Sequence, residues 1–155
     1  MINADRPTVL YVDDEANNLL SFKASFRRHF DVLTAESAEE ALAILGQHEV
    51  HVIVSDQRMP QTTGIEFFAS IVEAYPDPIR ILLTGYADIQ AVIDAINLGQ
   101  VYRYFSKPWN EKEILQQVTL AFELYKARVE NRTLTQRLMD TNDKMEFLLR
   151  QKLLS

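Results

Sequence analysis

The chain has 155 residues, no cysteine and a formal net charge of −6, with 47% hydrophobic and 25% charged residues. The length suits one domain with an appendage. The acidic balance excludes a broad basic footprint for nucleic acid and disfavours direct DNA binding, and the lack of thiols removes disulfide and cysteine chemistry. The N-terminal MINADRPTV lacks a signal-peptide core, and no run approaches the roughly 18 apolar residues of a membrane helix. The expectation is a cytoplasmic protein that does not engage a membrane.

In chain order, TVLYV (8–12) is the first predicted strand. Residues 17–29 follow with helical spacing and place Leu19, Leu20, Phe22, Phe26 and Phe30 on one side. DVLTA (31–35) alternates as a strand. SAEEALAIL (37–45) opens a helix with Ser37 and carries Glu40 three residues on, the signature of a capping box. VHVIVS (50–55) is a continuous apolar strand, followed by a helix over 64–74 with Ile65, Phe67, Phe68, Ile71 and Val72 toward a core. IRILLT (79–84) is the fourth strand, and 88–98 forms a helix through Ile89, Val92, Ile93 and Ile96, closed by Gly99. VYRYF (101–105) is the fifth strand, and Asn110 starts the last helix with Glu113 behind it.

Strand and helix thus alternate five times. That order implies parallel pairing. The central strands do not alternate, because helices cover both faces of a parallel sheet. The expected fold is a five-stranded α/β sandwich of about 120 residues.

In open parallel sheets, ligands bind at the carboxyl ends of the strands. There the sequence places Asp13 and Asp14 after the first strand, Asp56 after the third, Thr84 at the end of the fourth and Lys107 after the fifth. Each alone reads as a turn, cap or surface residue. Together, three carboxylates on one edge repel one another unless a cation sits among them, and hard oxygen donors suit Mg²⁺. Lys107 adds a positive charge and Thr84 a hydroxyl. A carboxylate can itself accept a phosphoryl group as an aspartyl-phosphate. His29, His48 and His51 lack zinc-ligand spacing.

VDDE (12–15), VSDQRMP (54–60) with Gly64, LLTGY (82–86) and YRYFSKPW (102–109) together resemble the receiver domain of bacterial two-component response regulators, over about residues 8–122. The resemblance implies a flavodoxin-like fold with strand order 2-1-3-4-5 and a domain over 1–122. It implies phosphoryl transfer to Asp56 from a sensor histidine kinase or phosphotransfer protein. It implies Mg²⁺ held by Asp13, Asp14, Asp56 and the backbone carbonyl of Arg58. Lys107 and Thr84 would contact the phosphoryl oxygens, Thr84 and Tyr104 would form the switch, and the Lys107–Pro108 peptide would be cis. Arg58 and Tyr86, two residues after Asp56 and Thr84, would flank the path of attacking water and slow dephosphorylation. The motif variants are also similar to those of receivers joined to hydrogenase-type transcription regulators or cyclic-dinucleotide phosphodiesterases.

Two other activities fit less well. A haloacid-dehalogenase-type phosphatase wants a second acid where Arg58 stands, and a nucleotide-binding module wants a Gly-rich loop where Asp14-Glu15-Ala16-Asn17 stands. The expectation is a regulatory domain that catalyses only its own phosphorylation and dephosphorylation.

From Asn110 to Ser155 there is neither Pro nor Gly. Steps of four and three give Leu120, Leu124, Ala127, Asn131, Leu134, Leu138, Thr141, Met145 and Leu148. The stripe predicts that 123–155 continues the last helix as a parallel two-stranded coiled coil, with Asn131 buried at an a position. The chain is therefore expected to be a homodimer, and its apolar ending suggests a fragment of a longer regulator.

Overall fold

The computed structural model describes residues 6–85 and 89–154. The elements are β1 (Thr8–Val12), α1 (Ala16–Phe26), β2 (Asp31–Ala35), α2 (Ala38–Gln47), β3 (Val52–Asp56), α3 (Gly64–Ile71), β4 (Ile79–Thr84), α4 (Ile89–Asn97), β5 (Arg103–Ser106) and α5 (Glu111–Leu154). All pairings are parallel, in the order β2-β1-β3-β4-β5. This is the expected flavodoxin-like α/β fold. Strand alternation splits the core in two. Val9, Tyr11, Val54 and Leu83 face α1 and α5, where Phe22, Phe26, Ile114 and Val118 pack. Leu10, Val12, Ile53 and Leu82 face α2, α3 and α4, where Leu45, Phe67, Phe68 and Val92 pack.

Three expectations are corrected by geometry. Leu20 and Ile93 are exposed rather than buried. Each adjoins a buried residue, Leu19 or Val92, and one residue turns a helix by about 100°, so the neighbour leaves the core face. At α2, Ser37 Oγ accepts the N–H of Glu40 at 3.1 Å, but the Glu40 carboxylate accepts from Glu36, one residue before the cap. The complete capping box lies instead at Thr63 and Glu66, which hold each other's backbone N–H groups at the start of α3. In β4, the apolar reading of IRILLT missed that Arg80 is buried. Its guanidinium donates to the carbonyls of Gln100, Pro78 and Gly99 at 2.8, 3.1 and 3.1 Å.

β3 and β5 begin two residues later than the apolar runs suggest, at Val52 and Arg103. The hydrogen bonding still reaches outward: His51 donates to Thr8 and accepts from Ile79, and Tyr102 donates to Arg80. Gly99, at φ 75°, ends α4 in the left-handed conformation that glycine adopts without steric cost. Asn110 Oδ1 accepts the N–H of Glu113 at 3.0 Å and starts α5 as expected.

The residues form two compact units, one ending at Tyr125 and one starting at Lys126. Within the first, α5 buries Ile114, Val118, Ala121 and Phe122. The second is helical, with Leu134, Leu138, Met145 and Leu148 exposed along it. Among the described residues, no helix is long and apolar enough to cross a membrane.

Candidate functional site

The parallel register brings the ends of four strands together. Asp13 directly follows β1 and its N–H donates to Ala35 at 3.1 Å. Asp56 is the last residue of β3, and Gln57 after it donates to Leu83 at 2.9 Å. Thr84 ends β4 and its carbonyl accepts from the N–H of Lys107 at 3.0 Å. These backbone bonds fix the spacing of the side chains. The cis Lys107–Pro108 peptide expected from the motif is present.

Lys107 Nζ lies 2.8 Å from Asp56 Oδ1 and 3.8 Å from Asp13 Oδ2. Carboxylate oxygens of Asp13, Asp14 and Asp56 all lie within 4.8 Å of one another. Asp13 and Asp56 are buried, whereas Asp14 is exposed. Burial pushes the Asp56 carboxyl above the usual carboxylate range, and Asp13 adds to the rise. Lys107 and the backbone N–H of Arg58, which also bonds Asp56, oppose it. Three hard oxygen donors around one point fit Mg²⁺, which favours carboxylates and keeps several waters.

Neutral donors hold Asp13. Tyr11 Oη donates to Oδ2 at 2.7 Å, Asn18 Nδ2 donates to the same oxygen at 3.0 Å, and the Glu15 N–H donates to Oδ1 at 3.0 Å. Burial, reinforced by the bond to Asp13, pushes the Tyr11 phenol far above its usual value. The phenol therefore stays protonated and a donor. Its ring is fully buried, stacked on Phe22 at 4.2 Å with 2° between planes, and edge-on to Trp109.

Gly64 explains its place in the motif. A Cβ there would lie 2.5 Å from the Asp56 carbonyl oxygen and 2.7 Å from Leu82. Only glycine lets α3 start this close to the strand that carries Asp56. The buried Gln57 completes the approach by accepting the N–H of Ile65 on its side-chain oxygen and that of Gly64 on its carbonyl.

The remaining predicted residues are spread out. Thr84 is buried at the site edge, with its hydroxyl donating to the Gly85 carbonyl at 2.9 Å. Tyr104 is half-buried against the second core cluster. The Arg58 side chain is exposed. Tyr86 lies outside the described residues. Leu124 is partly buried against the first core cluster, while Asn131, Leu134, Leu138 and Met145 are exposed. Sequence reasoning missed Tyr11, Asn18 and Gln57. For Tyr11 the signal was available: it stands two residues before Asp13, and strand alternation puts both on one face.

A family model described as "Response regulator receiver domain" matches residues 9–119. The chain is 40% identical over 116 residues to the hydrogenase transcriptional regulatory protein HoxA of Cupriavidus necator, covering 75% of this chain and 24% of that protein. It is 34% identical over 126 residues to HoxA of Bradyrhizobium diazoefficiens, covering 81% and 26%. It therefore spans about a quarter of the length of these relatives. A solved structure described as adenylate cyclase from Rhodopirellula baltica matches with a TM-score of 0.81 at 30% identity, covering 84% of this chain and 98% of that one. The signal receiver domain of an HD domain-containing protein from Pseudomonas fluorescens Pf-5 matches with a TM-score of 0.76 at 34% identity, covering 84% and 96%. With the strand order, the clustered aspartates and the paired lysine in place, the chain belongs to the response regulator receiver domain family.

Proposed function

We propose that this receiver is a phosphoacceptor module in which Asp56 takes a phosphoryl group from a sensor histidine kinase or phosphotransfer protein in the cytoplasm. The observation that carries the reading is the 2.8 Å contact of Lys107 with Asp56 beside two further carboxylates. A carboxylate oxygen of Asp56 attacks phosphorus, a P–O bond forms, and the P–N bond to the donor histidine breaks. Asp13, Asp14, Asp56 and the Arg58 carbonyl are the residues that would hold Mg²⁺. When bound, the cation offsets the negative charge of the pocket and of the incoming phosphoryl oxygens.

Phosphorylation adds charge and acceptor oxygens at Asp56. Lys107 follows that charge. Thr84 exchanges its bond to Gly85 for one to a phosphoryl oxygen, an interaction present in only one state and therefore able to shift an equilibrium. Tyr104 follows into the space behind it. Arg58 and Tyr86 shield the phosphoryl group from water and lengthen its life. The module turns over no separate substrate. Its exposed C-terminal stripe of Leu134, Leu138 and Met145, with Asn131 in register, supports a parallel homodimer that carries the change to an output segment. The resemblance to HoxA favours an output in transcription, with DNA contact made elsewhere than in this acidic segment.

Incubation with acetyl phosphate and Mg²⁺ tests the reading. Intact mass should rise by one phosphoryl group in the wild type and stay unchanged in Asp56→Asn. Light scattering on the same samples should report a dimer. Equal labelling of Asp56→Asn would sink the assignment.

A further inference from the structure

The phosphoacceptor reading assigns no task to Tyr11, yet its hydroxyl is the shortest of the contacts to Asp13, at 2.7 Å. Asp13 is fully buried within reach of two other carboxylates. A buried carboxylate in that position must be both desolvated and held against like charge, and only fixed donors can do this without adding charge. Tyr11 and Asn18 converge on one oxygen, Oδ2. The Glu15 N–H takes the other. The carboxylate plane is therefore set from both sides.

The phenol is itself held. Its ring lies flat on Phe22 at 4.2 Å, and the edges of both rings meet Trp109 at 5.9 and 5.8 Å. Phe22 in turn packs on Phe26 at 4.7 Å. The hydroxyl cannot turn away from Asp13 without unstacking buried rings. The packed face of α1 is thus tied to the orientation of one acidic side chain.

We propose that Tyr11 is a positioning residue for cation binding: its hydroxyl, locked by the stack on Phe22, orients the Asp13 carboxylate so that the acidic pocket takes a divalent ion. This rests on the phosphoacceptor reading and deepens it. Tyr11 touches neither the phosphoryl group nor the ion. It acts through Asp13, as the hydrogen-bonded partners of metal ligands do elsewhere, where their removal weakens binding by about 10–100-fold.

The test is Tyr11→Phe, which deletes one O–H and keeps the ring. Mg²⁺ is titrated into the full chain and followed by calorimetry and by emission of Trp109, the single tryptophan. The dissociation constant for Mg²⁺, measured well below the melting temperature of both proteins, should rise about tenfold; the melting temperature without Mg²⁺ should fall by several degrees, because a buried acceptor loses a donor. The labelling rate with acetyl phosphate should fall at low Mg²⁺ and recover at saturating Mg²⁺, which a general structural defect would not do. Asn18→Ala removes the second donor to the same oxygen from a half-buried helix position. It should weaken Mg²⁺ binding too, and it keeps the idea testable if Tyr11→Phe does not fold. An unchanged or tighter Mg²⁺ constant in either folded variant overturns the proposal. If the wild type binds no Mg²⁺ and takes no label, the phosphoacceptor reading itself falls. If it does both and the variants match it, only the role of Tyr11 falls.

Discussion

At the amino end of β4, one buried guanidinium is surrounded by carbonyl oxygens; at the carboxyl ends of β1 and β3, buried carboxylates are set against each other. Arg80 donates to three backbone carbonyls, after the end of α4 and in the loop before β4. Its charge is answered inside the fold. Asp13 and Asp56 share the ammonium of Lys107, and Asp14 lies beside them. Taken at formal charge, three carboxylates and one ammonium leave two negative charges. The first arrangement is complete and structural. The second keeps more carboxylate than ammonium, and the proposed cation binding rests on that contrast.

Four substitutions bear on this contrast. Arg80→Met should be the most damaging, because it removes a donor from three carbonyls: a loss on the order of 3 kcal/mol, read from urea unfolding. A loss below about 1 kcal/mol would mean that water reaches those carbonyls and that Arg80 is not a closed unit. Gly64→Ala should cost about 1–3 kcal/mol through overpacking against the Asp56 carbonyl. It should also slow labelling, since relief of the clash moves the strand end that carries the acceptor.

Asp56→Asn should go the other way. Burial raises the folded-state pKa of Asp56, so this group stabilises the protein at low pH and loses that contribution as pH rises through its folded value. Without Mg²⁺, the variant should melt higher than the wild type at neutral pH, on the order of 1 kcal/mol or about 2–4 °C, and should lose part of the downward slope with pH. Lys107 is not stranded, because Asp13 lies 3.8 Å away. A lower melting point would show that the Lys107 pair outweighs the repulsion.

The smallest effect is expected at His51, at the amino end of β3. Its Nδ1 accepts the Thr8 N–H at 2.9 Å, and its ring packs on Phe122 and Tyr125 at 4.8 Å. Burial pushes its pKa below the usual histidine value, against the pull of Glu49 and Asp31. Stability should therefore be held above the usual histidine range and decline as pH falls through it, since the unfolded chain binds the proton first. His51→Gln should flatten that decline in melting curves taken across mildly acidic pH.

The fold was legible because its signals are local and repeated. Unbroken apolar runs, helical spacing and turn residues fixed all five strands and their order of alternation, and residues at strand ends named the charged cluster without coordinates. What escaped depends on contacts between distant segments. The partners of Arg80 are backbone carbonyls at 78, 99 and 100, which leave no trace in side-chain chemistry. Tyr11 passes as part of the apolar run TVLYV, because a buried aromatic is ordinary in a strand. Its polar end matters only once Asp13 is known to be buried beside it. Leu20 and Ile93 were misplaced because an apolar residue next to a core position satisfies a loose periodic pattern as well as the core residue does.

One backbone bond has a mechanical implication. The carbonyl of Thr84 holds the N–H of Lys107 at 3.0 Å, so the hydroxyl and the ammonium to which the proposed function gives the phosphoryl contacts are mounted on the same hinge pin. Displacing either tugs its neighbour. On the proposed function, the tips of β4 and β5 should respond to a new anion as one lever, and Tyr104 on β5 is where its travel should be read.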